Sequence, residues 1–87
     1  MTYSIEFSEE ADSDFAYLLR SDRRLATRIL AKVESLADSP REGKPLVGNH
    51  KGEFSLRLGD YRIVYELDTA HYVVYILTIK HRKDAYG

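Results

Sequence analysis

Cysteine is absent from the 87 residues. That excludes disulfides, a thiolate nucleophile and a cysteine-based zinc site, and it suits a reducing compartment. Long apolar runs are absent too. No stretch approaches the roughly 20 residues that cross a bilayer, and "MTYSIEFSEE" at the N-terminus has no basic region leading into an apolar one. The expectation is a cytoplasmic protein with no membrane partner. The chain has no H-E-x-x-H, no glycine-rich phosphate loop and no G-x-S-x-G, which removes the metalloprotease, nucleotide-loop and serine-hydrolase readings. Repeats, low-complexity segments and linkers are missing as well. Net charge is nearly missing: −1 overall, where broad affinity for phosphates would call for an excess of Lys and Arg.

What is present is an ordinary globular composition, 44% hydrophobic and 31% charged. The length permits one domain, residues 1–87, hiding roughly 60 to 65% of its unfolded surface. The small net charge conceals a gradient. Residues 1–43 hold six Lys or Arg against nine Asp or Glu, and residues 44–87 hold seven against five. The positive character therefore lies in the second half.

"YSIEF" at 3–7 alternates and is rich in β-formers, predicting a first strand. Ser8 is placed to cap a helix whose first turn carries Glu9 and Glu10, with Ala11, Phe15, Leu18 and Leu19 as its stripe. Asp22 can cap a second helix with Leu25, Ile29, Leu30, Val33 and Leu36 inward, and "SPREGKP" stops it. Residues 40–52 read as a long loop. "EFSLRL", "YRIVYEL" and "YVVYILTI" then predict an antiparallel meander over 53–79. The last run is apolar on both faces, as expected of a central strand beside the first. The order β-α-α-β-β-β predicts an α+β fold, a helix hairpin on one face of a mainly antiparallel four-stranded sheet.

The two-residue turn Gly59-Asp60 sets a register. Leu58 should face Tyr61, Arg57 should face Arg62, Leu56 should face Ile63, and Phe54 should face Tyr65. Leu56, Leu58, Tyr61, Ile63 and Tyr65 then share the core face, leaving Arg57 and Arg62 opposite each other on the other. Like charges so placed destabilise a sheet by a few tenths of a kcal/mol up to about 1. Either they splay into water or pair with Glu53 and Glu66 on the same face, or they await an anion, for which the arginine fork suits phosphate. The chain's last ten residues, "TIKHRKDAYG", add Lys80, His81, Arg82, Lys83 and Tyr86. Phosphodiester cleavage through a 2′-hydroxyl needs a proton acceptor, a proton donor and cations beside the phosphorus. An imidazole titrates near neutrality, and a tyrosine needs cationic neighbours to do so. By contrast, Glu9, Glu10, Asp12 and Asp14 at the first helix start read as a solvated, dipole-favourable group rather than a metal site.

These residues resemble the RelE/ParE superfamily of bacterial and archaeal toxins, in its RelE-like branch. The likeness covers essentially the whole chain and is most specific in "GDYRIVYEL" and "HRKDAY". It implies a small, microbial-ribonuclease-like toxin of a type II toxin–antitoxin system. Such a toxin cuts messenger RNA in the ribosomal A site by 2′-hydroxyl attack, with no metal or other cofactor, and is neutralised by a RelB-like antitoxin. Carried over by position, Arg62 stabilises the phosphate and Arg82 is the arginine after the last strand. Tyr86 stacks on a base or assists proton transfer, and His81 is the candidate acid or base. Arg57 completes the catalytic set, and Lys44, Lys51, Lys80 and Lys83 are candidate phosphate contacts. The chain departs from the family where the best-known members carry two lysines before the hairpin, since Ser55 and Arg57 stand there. Two alternatives share much of this pattern: a ParE-like toxin acting on DNA gyrase, and an inactive module acting only with its antitoxin.

Overall fold

The computed structural model describes residues 2–46 and 52–85. Strand β1 (Ser4–Phe7) leads into helix α1 (Glu9–Ser21), which is followed by α2 (Arg23–Ser35). The remaining elements are β2 (Lys44–Pro45), β3 (Glu53–Leu58), β4 (Tyr61–Asp68), β5 (Val73–His81) and a short α3 (Arg82–Ala85). The sheet has five strands in the order β1-β5-β4-β3-β2, with β1 parallel to β5 and the other pairs antiparallel.

Both predicted caps form. The Ser8 hydroxyl oxygen accepts from the Ala11 N–H at 3.0 Å, and Asp22 Oδ1 accepts from the Leu25 N–H at 3.1 Å. Each satisfies an N–H that a helix start leaves without a backbone partner. Ser8 also donates its O–H to the Leu77 carbonyl at 2.7 Å, tying the start of α1 to β5. From α1 the core takes Ala11 and Leu18, and from α2 Ala26, Ile29 and Val33, with Leu36 following. Leu19, expected in the α1 stripe, is exposed; Leu25 packs half-buried against the core as expected, and Ala26, outside the predicted stripe, is fully buried.

The helices cover the face made by Leu56, Ile63, Tyr65, Val74, Ile76 and Ile79. Gly59 sits at φ 58°, the left-handed conformation that a tight hairpin needs at its first turn position. The pairings Leu58↔Tyr61, Arg57↔Arg62, Leu56↔Ile63 and Phe54↔Tyr65 all match the predicted register.

The strand count differs from the expected four because part of the 40–52 loop pairs with the sheet. Lys44 lies opposite Ser55 and Pro45 opposite Phe54. Proline lacks an N–H for the ladder, so such a strand belongs at a sheet edge, and β2 is one. In β5 the register shifts by one residue at Val64/Tyr65, where Val64 pairs with Thr78 but Tyr65 pairs with Ile76. A bulge of this kind turns the face of everything beyond it. It lets Val74, Ile76 and Ile79 all point into the core.

Candidate nucleic-acid interface

Period-two alternation puts Ser55, Arg57, Arg62, Val64, Glu66, Tyr75, Thr78 and Lys80 on the face that the helices leave uncovered. The charges on it are sorted by position. Glu53 pairs with Glu66 and Glu66 with Tyr75 at one end, while Arg57, Arg62 and Lys80 form a row at the other. The two ends are four residues apart along β3, or roughly 13 Å at the usual strand rise. Arg57 is exposed, and its side chain has no hydrogen bond or ion pair among the described residues.

Lys44 joins the basic end from β2. Its partner Ser55 is on the arginine face, and a groove of about 490 Å³ is lined by Lys44, Arg57 and Arg62 together with Gly43, Pro45 and Leu46. Glu42 also borders the groove, and its carboxylate is paired with Lys32.

Lys80 is in register beside Arg62, but acids of α1 claim its ammonium. Asp14 lies 2.7 Å away and Glu10 3.2 Å away. The hydrogen bond to Asp14, helped by Glu10, raises the Lys80 pKa above its ordinary value. Asp14 additionally accepts the Ile79 N–H at 3.0 Å, past the point where β1 stops pairing with β5. The sequence suggested a solvated role for this aspartate. It instead fastens α1 to the strand that carries the basic tail, and nothing local signals a partner 65 residues away.

The expectation groups His81 with the arginines, and the register separates them. His81 pairs with Tyr61, so its ring lies on the helix side of the sheet, edge-on to Tyr61 with centroids 5.3 Å apart. Its Nδ1 accepts the Lys83 N–H at 3.2 Å. A small hollow there is lined by Asp14, Tyr17, Tyr61, His81 and Asp84. Burial raises the Tyr61 pKa, and Tyr17 and the neighbouring carboxylates add to it, so this hollow disfavours a phenolate. Arg82 opens α3 and stays at the basic end: its N–H donates to the Asp60 carbonyl at 2.7 Å, and its Nε lies 3.8 Å from the Asp60 carboxylate. Lys83 is exposed beside it. Tyr86 and Lys51 lie outside the described residues.

Helices on one face of this sheet, with a cationic row on the other, define a small α+β domain with one basic face. The family described as "ParE toxin of type II toxin-antitoxin system, parDE" matches residues 5–86. Toxin RelG of Mycobacterium tuberculosis (strain ATCC 25618 / H37Rv) is 39% identical over 92 residues, covering 99% of this chain and 98% of that protein. Toxin RelE of the same strain is 37% identical over 73 residues, covering 77% of this chain and 75% of its own. The toxin–antitoxin complex RelBE2 from Mycobacterium tuberculosis contains a chain that superposes with a TM-score of 0.82 at 33% identity, covering 94% of this chain and 100% of that one. The protein belongs to the RelE/ParE superfamily of type II toxin–antitoxin toxins. Among the described residues, no helix is long and apolar enough to cross a membrane.

Proposed function

We propose that the protein is a ribosome-dependent endoribonuclease that cleaves messenger RNA in the A site and is held inactive by a RelB-like antitoxin. The observation that carries this reading is the in-register pair Arg57↔Arg62 on the uncovered face. Two arginine forks side by side on an uncovered face are donors suited to a phosphate, and a phosphate in transit to a pentacovalent state gathers the negative charge that such donors stabilise. Arg62 and Arg57 hold the phosphate, and Arg82 adds charge from the end of the sheet. Proton transfer is assigned to His81 and Tyr86, and the 2′-hydroxyl of the message is the nucleophile. Because His81 lies across the strand from the arginines, its role needs its own test. His81→Ala should lower the cleavage rate about 10²- to 10⁴-fold if it is the acid or base, and an unchanged rate removes it from the mechanism. The antitoxin of the RelBE2 complex is the precedent for a partner. An acidic segment laid on Arg57 and Arg62 would block the same site.

The deciding experiment is in vitro translation of a defined message, with 5′ ends mapped by primer extension, for wild type and Arg62→Ala. Cuts at A-site codons that require ribosomes and vanish in the folded variant support the reading. An intact message with wild type refutes it and directs the next assay to gyrase supercoiling.

A further inference from the structure

A core tyrosine reaches out of the core to hold the segment that carries Lys44. The Tyr65 ring is fully buried and stacks on Phe54 with centroids 5.4 Å apart and planes 10° from parallel. Its O–H donates to the Pro40 carbonyl at 2.7 Å, and its oxygen accepts the Gly43 N–H at 3.0 Å. Both ends of a tight four-residue bend are therefore gripped by one hydroxyl from the centre of the sheet. The grip is close: a Cβ on Gly43 would stand 2.9 Å from the Ser55 carbonyl oxygen and 2.9 Å from the Tyr65 oxygen, so only glycine lets the bend sit this low. The next residue is Lys44, placed opposite Ser55 on the arginine face. Its side chain is exposed, lines the same groove as Arg57 and Arg62, and has no ion pair or hydrogen bond among the described residues. Lys80, the lysine in register with Arg62, is occupied by Asp14 and Glu10.

We propose that Lys44 is a further cation of the phosphate site and that Tyr65 is its positioning residue, the hydroxyl fixing the 40–43 bend so that the ammonium stands over the groove beside Arg57 and Arg62. The ligand is the backbone of a single-stranded RNA, with one phosphate at the arginine pair and the adjoining one at Lys44. This inference rests on the ribonuclease reading of the arginine face and adds a residue outside the "LRLGDYRIVYEL" segment to it.

The test is binding of a short single-stranded RNA bearing 2′-O-methyl groups, which cannot attack the phosphate, measured by fluorescence anisotropy across a salt series. Each phosphate contact contributes about 0.7 to the slope of log affinity against log salt for a single strand. Lys44→Ala should lower the slope by about that amount, and Lys44→Ala with Ser55→Lys, which returns a lysine to the cross-strand position, should restore it. Tyr65→Phe should weaken binding in the wild-type background and have no further effect in the Lys44→Ala background. A merely structural tyrosine would weaken both equally. An unchanged slope for Lys44→Ala, with a reduced one for Arg62→Ala, overturns the inference and leaves the ribonuclease reading standing. Slopes unchanged by Lys44→Ala and Arg62→Ala alike overturn both.

Discussion

Arg57 and Arg62 set stability against function within a single cross-strand pair. Opposed like charges cost the sheet up to about 1 kcal/mol, so Arg57→Thr should raise the urea midpoint by a corresponding amount at low salt, while lowering the cleavage rate. A variant both less stable and fully active would show that the guanidinium is structural. This pair was legible in the sequence because strand alternation has a period of two and a Gly-Asp turn leaves little choice of register. The sequence also put Glu53 and Glu66 on the same face, and they are there, at the opposite end of the ladder. His81 was misplaced by the same kind of reading. "HRK" looks like one basic cluster in one dimension, yet adjacent strand residues point to opposite faces, and only the pairing with Tyr61 reveals which side receives the ring.

The helices and main strands were readable from caps, periodicity and turn residues, whereas the ties between elements were not. Ser8 serves both as the cap of α1 and as a donor to Leu77, so Ser8→Ala should cost about 0.5 to 2 kcal/mol for the cap alone, measured by chemical denaturation. Asp14 joins α1 to β5 through Lys80, whose pKa is raised above its ordinary 10.5 by that contact. A group whose folded pKa is raised contributes stability that is complete below the unfolded pKa and is lost as pH rises through the folded value. The stability difference between wild type and Asp14→Asn should therefore be constant through neutral pH, begin to shrink above the ordinary value of 10.5, and be lost once Lys80 of the folded protein discharges at higher pH. A difference that persists undiminished in that range would assign the effect to the Ile79 N–H bond instead. Strand β2 escaped the sequence because two residues, one of them proline, make no pattern. The bend that leads into it is held by the hydroxyl of Tyr65, a residue that reads simply as core.

At the scale of the molecule, one face is for folding and the other for charge. Ile63 has no exposure at all and lies beneath the arginine row, so Ile63→Ala should cost about 2 to 5 kcal/mol. That is a large share of the roughly 5 to 15 available to a domain. Growth arrest would be lost with the fold, visible as an early thermal transition, whereas Arg62→Ala should lose it with the transition near that of wild type. The topology also has a consequence in time. β1 sits at the sheet edge with β5 as its neighbour, and Ser8 of α1 is bonded to Leu77 across 69 residues of chain. A nascent chain emerging from the ribosome cannot close this sheet until its final strand has been made, roughly 3 to 14 seconds after the first at ordinary elongation rates. Arg62 and Lys80 come into line only at that closure. Asp14 and Glu10 likewise meet Lys80 only then, so the first helix stays untied to the end of the sheet until the last strand has docked.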